Sequence, residues 1–111
     1  GLFAAYTLAQ APDLFDRYLI MSPALWFDDG KIHDVPIAPT DRTRAVFLAA
    51  DTPRGETRSA MANDTMRLNE RLLAQPNLIV SHALILGQTH NGMVAPAAQR
   101  GLMALYGNVQ P

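Results

Sequence analysis

The sequence predicts an α/β domain built on a parallel sheet, and three observations carry that prediction. First, three short runs, residues 18–21, residues 45–50 and Leu78–Leu86, have the continuous apolar character of strands buried on both faces. Second, the elements alternate as helix, strand, loop, strand, helix, strand, helix, which implies parallel strands joined by right-handed crossovers. Third, 111 residues of which 49% are hydrophobic and 17% charged are enough for one core and unlike a disordered chain.

Each element has its own signal. Residues 2–11 are apolar or small almost throughout and read as a helix stopped by Pro12, with no Ser, Thr, Asp or Asn ahead of it to cap the first turn. Residues 13–16 form a turn, and the first strand then runs to Ser22-Pro23. Leu25-Trp26-Phe27 makes a brief helical turn that Asp28-Asp29-Gly30 closes. Residues 31–44 carry Pro36 and Pro39 without a period and read as a loop, with His33 solvated. After the second strand, residues 51–55 are a turn. Met61, Leu68 and Leu72, with Thr65 filling the gap, follow helical spacing between Glu56 and about Ala74. Gln75-Pro76-Asn77 breaks that helix. The third strand makes His82 a core or half-buried residue. Pro96, Ala98, Leu102, Leu105 and Tyr106 mark a final helix. Three strands leave both sheet edges open, which predicts a truncated domain that is either marginally stable or self-associates through an exposed edge.

Composition narrows the partners. A net charge of −1 with both signs scattered offers no footprint for nucleic acid or for an anionic membrane. The absence of cysteine excludes disulfides, thiolate catalysis and cysteine-ligated metal. No apolar run reaches the roughly 20 residues of a membrane span. The first residue is Gly1, so any leader lies upstream, and the sequence does not distinguish cytoplasm from periplasm.

In open parallel sheets, ligands bind beyond the carboxyl ends of the strands. Three segments belong there: residues 22–26, residues 51–56 and residues 88–92. The last holds His90 on a turn of small residues, Gly87-Gln88-Thr89-His90-Asn91-Gly92, and the middle one holds Asp51 and Glu56. A carboxylate against one ring nitrogen fixes the imidazole tautomer and leaves the other nitrogen to take a proton from a nucleophile. The same positions also suit plain helix capping, in which a carboxylate meets the helix dipole. Ser22, in Met21-Ser22-Pro23, lacks the glycines of a nucleophile turn and is expected to bond to backbone.

The segments Gly1-Leu2-Phe3-Ala4-Ala5-Tyr6, Pro12-Asp13-Leu14-Phe15-Asp16-Arg17-Tyr18, Met21-Ser22-Pro23-Ala24-Leu25-Trp26-Phe27-Asp28-Asp29-Gly30 and Thr89-His90-Asn91-Gly92-Met93-Val94 resemble an esterase family of the α/β-hydrolases. That family includes esterase D and the ferric-siderophore esterases. The resemblance covers nearly the whole chain and points to the C-terminal part of an α/β-hydrolase fold, with three parallel strands and flanking helices. It implies that residues 1–111 are a partial hydrolase domain that starts just after the Gly-x-Ser-x-Gly nucleophile elbow. The serine would then lie a few residues before Gly1.

By the resemblance, His90 is the catalytic histidine. Glu56 is preferred to Asp51 as its acid, and some relatives work without either. Trp26 and Phe27, beside the predicted cleft, would either line an acyl or aromatic-siderophore pocket or pack under a loop, and Arg54 and Arg58 could meet an anionic substrate, though solvated arginines are commoner. The implied parent is a serine ester hydrolase acting on a small-molecule ester, with a siderophore ester as one candidate, and needing neither cofactor nor metal. The alternative is a catalytically inactive α/β fragment or binding module.

Overall fold

Three parallel strands, β1 (Arg17–Met21), β2 (Arg44–Thr52) and β3 (Leu78–Leu86), form one sheet in the order β1-β2-β3. The computed structural model describes residues 1–52 and 60–107. In the parallel register Met21 pairs with Ala49, and Asp51 and Thr52 pair with Ile85 and Leu86. The chain is thus α/β, with helices on both faces of a three-stranded sheet.

Side-chain alternation sorts the sheet into two faces. Ile20, Val46 and Leu48 point to one, where α1 (Leu2–Gln10) contributes Ala5, Leu8 and Ala9 and α3 (Ala60–Leu73) contributes Leu68 and Leu72. Each leucine removed from water there stabilises the fold by about 1.5–3 kcal/mol. Leu19, Phe47, Ala49 and Ile85 point to the other face, against Met93 and Ala97 of the segment leading into and through α4 (Val94–Tyr106). Between β1 and β2 there is only a one-turn element, α2 (Phe27–Gly30), and a 3-10 turn over Lys31–Asp34.

α1 ends where Ala11 leaves the helical region at φ −144°, one residue before Pro12, while its N–H still donates to the Thr7 carbonyl. Thr7 stays helical by donating Oγ1 to the Phe3 carbonyl at 2.9 Å. The expected turn after α1 contains a 3-10 segment, Pro12–Leu14, whose Pro12 carbonyl accepts the buried Tyr18 hydroxyl at 2.8 Å.

Several expectations need correction. Asp51 and Thr52 are strand residues rather than the start of a turn, because β2 stays paired with β3 to its last residue. β3 is not buried on both faces: where the helices do not cover it, Ile79, His82 and Leu86 are exposed, so His82 is a surface residue. α2 is not an ordinary helical turn, since Asp28, Asp29 and Gly30 all have positive φ. His33 is buried rather than solvated. Arg71 of α3 donates to the Ile32 and Val35 carbonyls, which clamps the 3-10 turn onto the helix and takes His33 inside. On α4, Ala97 and Gly101 are buried, whereas Leu102 and Tyr106, two of the residues that mark the helix in the sequence, are exposed.

Candidate active site

The three strand ends converge on a small polar cluster. β3 leads into Gly87, which turns the chain at φ 72° and donates its N–H to the Thr52 carbonyl at 2.7 Å. That bond ties the exit of β3 to the end of β2. The following turn is closed from within. Gly92 N–H donates to Thr89 Oγ1 at 3.0 Å, and Met93 N–H donates to the Thr89 carbonyl at 3.0 Å. His90 sits at the centre of this turn, immediately before α4.

The turn places His90 Nδ1 at 3.4 Å from Asp51 Oδ1. The two side chains differ sharply in exposure, 62% for His90 and 9% for Asp51. The carboxylate is therefore the sheltered, fixed partner, and the imidazole faces outward. Asp51 is held in place because it belongs to the paired end of β2.

Ser22 completes the cluster from the end of β1. Its hydroxyl donates to Asp51 Oδ1 at 2.6 Å, and the residue is buried. Its backbone has φ 40°, a left-handed conformation that a residue with a Cβ seldom adopts. The Ser22 N–H donates to the Ala49 carbonyl at 2.7 Å, so the parallel ladder reaches one residue past β1. Gly1 packs on the other side of this turn, and a Cβ there would lie 2.7 Å from Pro23 Cα and 2.8 Å from the Met21 carbonyl oxygen. The expectation that Ser22 bonds to backbone through its side chain is corrected: the hydroxyl goes to Asp51. The positive φ that aims the hydroxyl has no signature in Met21-Ser22-Pro23.

The other predicted residues lie apart from this cluster or outside the described residues. Trp26 and Phe27 are exposed on the loop after β1. Trp26 lines a cavity of about 400 Å³ with Leu25, Asp29, His33, Asp64 and Arg67, and neither Asp51 nor His90 contributes to that wall. Glu56, Arg54 and Arg58 fall outside the described residues. Among the described residues no three histidine or carboxylate side chains are grouped to hold a metal ion. No helix among them is long and apolar enough to cross a membrane.

No family model and no curated protein matches the sequence. The fold does match solved structures. The BES protein from Bacillus cereus aligns with a TM-score of 0.74 and 21% identity, over 93% of this chain and 40% of that one. The siderophore hydrolase EstA from Aspergillus nidulans aligns with a TM-score of 0.75 and 21% identity, over 98% of this chain and 46% of that one. The chain therefore shares the α/β fold of both structures and spans less than half the length of either.

Proposed function

We propose that the chain supplies the acid and the histidine of a serine ester hydrolase whose nucleophile comes from outside its 111 residues. The observation that carries this reading is the Asp51–His90 pair: a buried carboxylate on the end of one strand faces Nδ1 of an exposed imidazole at the end of the next. We take Asp51 as the acid. An acceptor at Nδ1 favours the tautomer with its proton there, which leaves Nε2 as the base.

In this mechanism Nε2 of His90 takes the proton from a serine hydroxyl as its oxygen attacks the ester carbonyl carbon. The imidazolium formed is stabilised by Asp51. It then returns the proton to the departing alkoxide, and an acyl-serine remains. Water attacks that acyl group with His90 again as base, which releases the acid and restores the serine. The fold shared with EstA, named as a siderophore hydrolase, makes a siderophore ester a candidate substrate.

The test compares the 111-residue chain with the polypeptide read from further upstream in its coding sequence. Both are exposed to a fluorophosphonate probe and to p-nitrophenyl butyrate. The short chain should neither label nor turn over. The longer one should do both, with turnover lowered on the order of 10⁴-fold or more by His90→Ala. Labelling of the short chain would refute an external nucleophile. Undiminished turnover in His90→Ala would refute the role of the histidine.

A further inference from the structure

We infer that Ser22 is a positioning residue, one that aims the Asp51 carboxylate at His90. The inference rests on the acid–histidine reading above and adds what fixes the acid. A carboxylate rotates broadly about its last torsion, so a single partner does not hold it. Asp51 Oδ1 accepts from the Ser22 hydroxyl at 2.6 Å and lies 3.4 Å from His90 Nδ1. The first is short and buried, in the range of charge-assisted bonds, whereas the second is long and ends on an exposed ring. Of these two contacts the Ser22 hydroxyl is the stronger constraint on where Oδ1 points, and the imidazole follows that direction.

The backbone points the same way. Ser22 adopts φ 40° although it has a side chain, and the Ala49 carbonyl on one side and the packing of Gly1 on the other hold it there. Strain of this kind persists where the surroundings over-determine it. Here it swings the hydroxyl off the end of β1 and across to the neighbouring strand.

The experiment reads the His90 tautomer by ring-nitrogen NMR on the 111-residue chain, in spectra recorded at alkaline pH. In the unaltered chain the Nδ1–H form should predominate. Ser22→Ala should lower the ratio of Nδ1–H to Nε2–H by about threefold, the scale of one lost hydrogen bond. Ser22→Gly removes the same hydroxyl but tolerates a positive φ, so it should show the same shift in a chain at least as stable, and it serves if Ser22→Ala fails to fold. A ratio unchanged in the folded variant would overturn the inference. So would a rise in Nδ1–H, which would mean that Ser22 competes with His90 for the oxygen instead of aiming it. Asp51→Ala separates this outcome from the underlying reading: if it leaves the tautomer unchanged, the Asp51–His90 couple itself fails.

Discussion

Arg44 and Asp13 meet through a 2.7 Å bond between Nη2 and Oδ1, with the arginine side chain 1% exposed and the carboxylate 53%. The other guanidinium nitrogen, Nη1, reaches Asp16 Oδ1 at 2.7 Å, and Thr40 donates to the same oxygen of Asp13. This network joins the turn before β1 to the start of β2, at the opposite end of the strands from His90. A buried guanidinium needs its partners, so Asp13→Ala should lower the melting temperature more than Asp41→Ala, whose carboxylate stands 3.9 Å away on the surface. The Thr40 hydrogen bond, and after it the Arg44 bond, hold the Asp13 carboxyl below its ordinary value of 3.8. A depressed carboxyl pKa stabilises the fold fully above the unfolded value, and this contribution is lost as pH falls through the folded one. Urea melts below about pH 4 should therefore show a shallower acid decline in Asp13→Asn than in the unaltered chain.

His33 predicts a second pH dependence, in a different window. Burial, and after it the nearby Arg67, lowers its pKa below the ordinary 6.5, against the smaller opposing pull of Asp64. The folded chain thus binds this proton less readily than the unfolded one. Stability from the neutral ring is complete above 6.5 and declines as pH falls below it. Neither ring nitrogen has a hydrogen-bond partner among the described residues. His33→Leu should therefore stabilise the fold by about 1 kcal/mol near neutrality, and by more at pH 5.5. Thermal melts at the two pH values measure the difference. An equal effect at both would show that the ring does not titrate with folding.

The expectations that failed share a physical cause. Residues 45–50 announced β2 because they are apolar, but Asp51 and Thr52 extend it through backbone pairing to Ile85 and Leu86, which does not depend on their side chains. His82 lies in an apolar strand and is exposed, a property of which stretch of the sheet the helices cover rather than of local pattern. His33 lies in a Pro-bearing segment and is buried because Arg71, 38 positions on, captures its flanking carbonyls. What was legible at the site was its position: strand ends that carry an acid and a histidine. The partner of Ser22 was not legible, since it depends on one backbone angle.

Gly101 makes the packing of α4 testable. A Cβ there would fall well inside contact distance of Leu19 Cδ1 and 3.0 Å from Phe47 Cδ1, on the face of the sheet that α4 covers. Leu102 is exposed, and at Gly101 the helix lies too close to the sheet for a large side chain. Gly101→Ala gains about 1 kcal/mol of helix propensity and pays about 1–3 kcal/mol for overpacking, so a net loss is expected. In a Leu19→Ala background the loss should shrink or reverse. A double-mutant cycle in urea reads the coupling, and strict additivity would contradict the contact.

Gly87 tests the opposite case, a glycine kept for its backbone rather than for space. Among the described residues, its two chain neighbours aside, no atom lies within 4 Å of a Cβ placed there, yet φ is 72°. Gly87→Ala should lose about 1–2 kcal/mol from conformation alone, and Gly87→Asn should lose less, because asparagine tolerates the left-handed region. Gly101→Asn should show no such relief over Gly101→Ala, since its obstacle is Leu19 and Phe47 rather than the backbone. The Gly87 N–H donates to the Thr52 carbonyl and its turn leads directly to His90, so the same substitution should also disturb the imidazole. Gly87→Ala should thus lower the Nδ1–H share at His90, while Gly101→Ala, on the covered face of the sheet, should leave it unchanged. If both variants moved the tautomer equally, loss of stability rather than the geometry of the turn would govern the histidine.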